Sequence, residues 1–143
     1  GSCRRQEGGG METVMNLVIG GAYQGKLAFA QKEYQLEDPR DWADGEICSR
    51  EELFSCRGIN HFHLFVRRML EAGEEVSALA EELLQRNPRA VVVTTELGCG
   101  VVPMEAFDRN YRECCGRLCT RLAEASSRVH RVICGVGTVI KDA

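Results

Sequence analysis

The chain lacks any apolar run approaching the roughly 18 residues of a membrane span, so no spanning helix is expected. Its first residues lack the apolar stretch of a secretory signal, and a cytoplasmic protein is expected. It lacks a basic excess: the net charge is -3 and the pI is near 5.7, which argues against a nucleic-acid surface. It has no C-x-x-C pair, and Cys114-Cys115-x-x-x-Cys119 has no pair of histidines nearby, which argues against zinc. Aromatics make up only 6%, with Trp42 the single tryptophan. Trp42 is read as packing, with stacking on a bound ring as the alternative.

What is present is a mixture typical of one folded domain: 143 residues, 44% hydrophobic and 27% charged. Residues 1–10 are glycine-rich and polar, and are read as a disordered leader or remnant; residues 11–143 are read as a single domain. The eight cysteines invite a disulfide framework. The alternating strand and helix patterns, and the missing secretory signal, favour reduced thiols at small apolar positions instead.

Val14 to Ile19 is short and nearly all apolar, the pattern of a buried strand. A helix is expected from Gly25 to about Tyr34, with Leu27, Ala28, Ala30 and Tyr34 toward the core. Asp41 to Gly45 reads as a short strand and turn. Ser49 stands three residues before Glu52, the capping-box spacing that opens a helix. Phe62, Phe65, Val66 and Met69 recur at helical spacing, with Asn60 as the expected cap and Gly73 as the stop. Another helix is expected over Ser77 to Arg86, ended by Asn87-Pro88. Ala90 to Thr95 is β-branched and apolar on both faces, as in a central parallel strand. A long helix from about Met104 to Ala125 carries the stripe Phe107, Tyr111, Cys114, Leu118, Leu122 and Ala125. Val129 to Cys134 forms a last strand, and residues 135–141 close the chain. The order implies an α/β, P-loop-type three-layer sandwich with a mostly parallel sheet.

Gly20-Gly21-Ala22-Tyr23-Gln24-Gly25-Lys26-Leu27 follows the first strand and opens the first helix. This is the strand, glycine-rich turn and helix of a phosphate-binding loop, G-x-x-x-x-G-K-[ST]. Gly20, Gly25 and Lys26 fit; Leu27 stands where a magnesium-binding hydroxyl belongs. Backbone N–H groups would cradle phosphates there and Lys26 would reach the outer ones. The alternative is a turn that binds nothing. Glu96 follows the Val91–Thr95 strand, beside Thr94 and Thr95, where a carboxylate holds a metal, takes a hydroxyl proton or braces the next loop. Arg117 and Arg121 share a helix face, and like charges at that spacing repel by roughly 0.2–0.5 kcal/mol. Glu113 offsets part of this and a bound phosphate would offset more; a solvated charged face is the alternative. His61 and His63 are read as one partly buried and one exposed histidine rather than a metal grip, and His130 as a strand-edge or surface residue. No aspartate is found at the end of an apolar strand to serve as the second acidic motif of a generic P-loop NTPase.

Four segments together resemble one family. They are Asn16 to Ala22 with Gly25-Lys26, Val93 to Gly98 with Gly100 to Pro103, Gly116-Arg117-x-x-x-Arg121-Leu122-Ala123, and Gly135-x-Gly137-x-x-Ile140-Lys141. The family is the adenosylcobinamide kinase / adenosylcobinamide-phosphate guanylyltransferase family of cobalamin biosynthesis. The likeness is specific over about 90–141, moderate over 14–30 and poor between.

The resemblance implies a P-loop fold, ATP or GTP as the nucleotide and Mg2+ as its companion, with Leu27 counting against the metal. It implies phosphorylation of the aminopropanol hydroxyl of a cobinamide, by Lys26 and Glu96 with Arg117 or Arg121 on phosphate. It also implies a corrinoid ligand and a homo-oligomer. The family's second step, guanylyl transfer through a histidine, needs a His-rich middle segment that has no counterpart here. His61 and His63 lie instead in a helix that the family builds with threonines and an asparagine. Thr95 replaces an asparagine, and Cys119-Thr120 replaces an asparagine–glutamine pair. A kinase without the transferase step is therefore expected, the alternative being a non-catalytic nucleotide- or corrinoid-binding relative or partner subunit.

Overall fold

The computed structural model describes residues 15–21, 25–95 and 106–142. The expectations placed on Val14, Ala22, Tyr23, Gln24, Glu96, the loop 98–103, Cys3 and Cys99 lie outside them.

Six strands form one sheet: β1 (Asn16–Gly20), β2 (Trp42–Asp44), β3 (Gly58–Asn60), β4 (Val91–Thr95), β5 (Arg128–Ile133) and β6 (Val136–Asp142). Their spatial order is β2-β3-β4-β1-β5-β6. Every pairing is parallel except the β5–β6 hairpin. The apolar runs read from the sequence are the two innermost strands, β1 and β4, which need apolar side chains on both faces. Leu17 and Val92 point into one core, Val18, Val91 and Val93 into the other. Each such fully buried side chain contributes about 1.5–3 kcal/mol of transfer free energy. The fold is an α/β three-layer sandwich of the P-loop type.

The helices α1 (Lys26–Glu33), α2 (Arg50–Ser55), α3 (Phe62–Glu71), α4 (Leu79–Arg86) and α5 (Ala106–Ala125) are shared unequally between the faces. The small core holds Ala30 of α1 with Leu36 and partly buried Phe29, Tyr34 and Trp42. The large one takes Leu53, Phe62, Phe65, Val66, Leu79, Leu83, Tyr111, Leu118 and Leu122 from the other four helices. Their ends obey local chemistry. The Glu52 N–H donates to Ser49 Oγ at 3.1 Å and the Ser49 N–H to Glu52 Oε1 at 2.9 Å, closing the expected capping box. Gly73, at φ 77°, ends α3, and the Glu74 N–H reaches back to the Met69 carbonyl at 2.8 Å.

Four expectations need correction. Asn60 is the last residue of β3, not a helix cap: its carbonyl accepts the Gly45 N–H at 2.7 Å, and His61 caps α3 instead. Ala28 is exposed, because Lys26 and Ala30 hold the buried side of α1. Cys115, not Cys114, is buried on α5, since the stripe steps four residues from Tyr111 and then three to Leu118. His130 is buried at 3% exposure: β1 and β6 flank its strand, the Phe29 ring meets it edge-on at 5.0 Å, and Tyr34 Oη lies 3.3 Å from its Nδ1. A three-residue β3 was not anticipated at all. The β5–β6 turn puts Cys134 and Gly135 at φ 50° and 79°, the paired positive angles of a two-residue type I′ hairpin. The described cysteines are free thiols, as expected. Among the described residues no helix is long and apolar enough to cross a membrane.

Candidate functional site

In parallel sheets, ligands gather beyond the carboxyl ends of the strands. β1 ends there at Gly20 and β4 at Thr95, paired side by side. Gly20 must be glycine: a Cβ would sit 2.6 Å from the Val132 carbonyl oxygen and 3.2 Å from Lys26 Cδ. Gly25 caps α1 at φ 76°, where an L side chain is strained. This turn folds Lys26 back over the strand end, leaving it 9% exposed with Nζ donating to the Gly21 carbonyl at 2.7 Å. The expected core position at Leu27 is only half-buried and brings no hydroxyl.

Lys26 opens onto a cavity of about 480 Å³, whose walls include Gly25, Asn60, His63, Thr94 and Thr95. His63 sits in the first turn of α3. The Thr95 N–H donates to its Nδ1 at 3.3 Å, which leaves the imidazole proton on Nε2. Burial, with the charges of His61 and Lys26 nearby, pushes its pKa down to about 4, so it is neutral at pH 7. The Tyr111 hydroxyl donates to the His63 carbonyl at 3.0 Å, tying this turn to α5. Thr94 is 1% exposed, and its Oγ1 has no hydrogen-bond partner among the described residues. A buried hydroxyl left so is costly, by about 1–3 kcal/mol.

Beside the cavity, His61 adopts φ 56° and directs Nδ1 at Asp44 Oδ1, 2.9 Å away. A non-glycine residue in this region costs about 1–2 kcal/mol. Gly45 permits the arrangement, because a Cβ there would lie 2.1 Å from the His61 carbonyl oxygen. Because His61 is a cap rather than a helical residue, its ring meets that of His63 at 6.0 Å despite the two-residue spacing. Asp44, Glu46 and His61 place ligand atoms within 4.8 Å of one another. Burial opposes the Asp44 carboxylate, but the Glu46 N–H, the His61 ring and the Arg68 charge hold its pKa below the usual value. Those protein contacts account for the carboxylate without a cation. The described walls of the Lys26 cavity likewise offer lysine, histidine, threonine and asparagine side chains, a set suited to anion oxygens rather than to magnesium.

Arg117 and Arg121 lie on a different hollow, about 540 Å³, walled by α5 alone through Glu113, Gly116, Thr120 and Glu124 as well. Arg121 forks onto Glu81 of α4, with Nη2 to Oε1 at 3.2 Å, and this holds the Glu81 pKa below its ordinary value. Arg117 faces Glu113 at 3.8 Å. Trp42 is packing: its indole N–H donates to the Leu36 carbonyl at 2.5 Å and its ring covers Gly58.

The structure thus joins Gly25, Lys26 and Leu27 to Thr94 and Thr95, with Arg117 and Arg121 apart; Gly20 and Gly21 support the turn, and Ala22, Tyr23, Gln24 and Glu96 lie outside the described residues. Sequence reasoning missed Asn60 and His63 and treated Thr94 only as a neighbour of Glu96. A fixed alternation along Ile59-Asn60 into the α3 periodicity was the available signal, but β3 is too short to display it.

A glycine-capped helix that opens on Lys26, beyond the carboxyl end of the central strand β1, fits a P-loop-type α/β protein. Residues 48–140 match the family described as cobinamide kinase / cobinamide phosphate guanyltransferase, and the chain belongs to that family. It is 43% identical over 58 residues to the bifunctional adenosylcobalamin biosynthesis protein CobU of Salmonella typhimurium, and 41% over 58 residues to that of Escherichia coli. Each match covers 40% of this chain and 32% of the relative, so the chain spans about a third of the length of these curated proteins.

Proposed function

We propose that this protein binds ATP or GTP at the Lys26 cavity and transfers the γ-phosphoryl group to the aminopropanol hydroxyl of a cobinamide, without the guanylyl-transfer step. The carrying observation is Lys26 itself: held at the strand end by Gly20 and Gly25, its ammonium opens onto a cavity lined by neutral hydrogen-bonding groups. Family membership supplies the substrate class.

In this reaction the hydroxyl oxygen bonds to the γ-phosphorus as the bond to the β–γ bridging oxygen breaks, and the nucleoside diphosphate leaves. Lys26 neutralises charge on the transferred group. Glu96, one residue beyond β4, takes the hydroxyl proton. Magnesium would neutralise phosphate charge when bound; with Leu27 in the loop, it gains no hydroxyl ligand from that position.

Leu27 also favours a second reading, a nucleotide- or corrinoid-binding relative that does not turn over. Incubation with cobinamide and either ATP or GTP, followed by mass analysis of the corrinoid, separates the two. Cobinamide phosphate formed by the wild type and abolished by Lys26→Ala supports the kinase. Nucleotide binding without phosphate transfer supports the second reading.

A further inference from the structure

The uncommitted donors at the cavity wall point beyond the phosphate loop itself. Thr94 lines the cavity, and its buried Oγ1 has no hydrogen-bond partner among the described residues. A hydroxyl in that state is stabilised by a ligand oxygen that arrives in the cavity. His63, on the neighbouring wall, has Nδ1 already taken by the Thr95 N–H, so its one proton is on Nε2. That nitrogen has no described protein acceptor, and the ring carries no charge of its own. Lys26 lines the same cavity, its charge acts on His63, and it adds the positive charge an anion needs.

We propose that Thr94 Oγ1 and His63 Nε2 form a neutral donor pair that, with Lys26, binds the oxygens of a phosphoryl group in this cavity. Both are phosphate-positioning residues of the site read above as the nucleotide pocket, so the inference rests on that reading. The pair supplies hydrogen bonds from α3 and β4, and Lys26 adds its charge from the start of α1. A transferred phosphoryl group is thereby held by three elements at once, the positioning that transfer requires.

Inorganic tripolyphosphate is the probe, because it carries the phosphates without base, sugar or corrinoid. Its affinity is measured by calorimetry for the wild type, Lys26→Ala, Thr94→Val and His63→Leu. The tautomer and environment of His63 are followed by nitrogen NMR of the imidazole. The expected result has four parts. His63 carries its proton on Nε2 before ligand is added; that resonance moves on binding; Thr94→Val and His63→Leu each weaken binding roughly threefold to tenfold, the size of one neutral hydrogen bond. Thr94→Val also raises the melting temperature, since it removes an unpartnered hydroxyl, a gain in stability coupled to a loss of affinity that a packing role would not produce.

Tripolyphosphate that binds through Lys26 while the His63 resonance stays still and Thr94→Val binds like the wild type overturns the donor pair and leaves the phosphate loop standing. No binding to the wild type overturns both. If His63→Leu fails to fold, the wild-type NMR signal and Thr94→Val still decide.

Discussion

Two hollows of similar size carry the basic residues that the sequence offers to phosphate, and they differ in what those residues are already bound to. At the Lys26 cavity, the Thr94 hydroxyl and the outward nitrogen of His63 have no described protein acceptor. At the α5 hollow, Glu113 and Glu124 line the wall, and both arginines are already paired: Arg117 with Glu113, Arg121 with Glu124 and with Glu81 of α4. A phosphate bound as proposed would complete the hydrogen bonding of the first. At the second it would have to displace or sit beside existing anions. Charge counted along the chain makes the arginine pair the richer phosphate site; the partners of each donor reverse the order.

The largest effect that sharpens this contrast belongs to the buried histidine. The folded pKa of His63 is about 4 against an ordinary 6.5, so as pH falls the unfolded chain takes up the extra proton first. Its neutral burial is fully tolerated above pH 6.5, and stability is lost between pH 6.5 and 4, by about 3 kcal/mol. Chemical denaturation across that range should show the loss in the wild type and a flatter profile in His63→Gln. Equal slopes would mean that His63 is not the buried neutral group that the cavity wall requires.

Next in size is the turn that holds Lys26. Gly25→Ala places a Cβ at φ 76° and should cost about 1–2 kcal/mol by thermal melting. It should also weaken tripolyphosphate, because the strain acts at the cavity mouth. An unchanged melting temperature would show that the turn relaxes without harm.

The smallest effect is expected at the other hollow. Arg121→Ala breaks an exposed, solvent-screened ion pair with Glu81 and should leave the melting temperature nearly unchanged. Together with Arg117→Ala it should alter nucleotide affinity by less than about twofold, since neither side chain reaches the Lys26 cavity wall. A loss comparable to that of a Lys26 variant would bring the two hollows into one site and end the contrast.

Much of this architecture was legible in the chain because its strongest signals are local. The apolar runs of β1 and β4, the Ser49–Glu52 box, the Gly73 stop and the α3 and α5 periodicities each follow from neighbours in sequence. The helix start at Gly25-Lys26 was legible for the same reason. What escaped depends on distant segments. β3 is three residues long and is a strand because β2 and β4 flank it. His130 is buried because α1 and β6 cover it. The role of His63 is set by a backbone N–H from Thr95, 32 residues away. No spacing rule within α3 reveals that partner.

The most direct test of the phosphate cavity is calorimetric titration of the wild type and Lys26→Ala with ATP and with GTP, each with and without magnesium. Lys26 donates a charge-assisted hydrogen bond, so its removal should weaken the preferred nucleotide about a hundredfold while the melting curve stays cooperative. Equal binding by both proteins, or no binding of either nucleotide to a folded wild type, would contradict the assignment of this cavity to a nucleotide's phosphates.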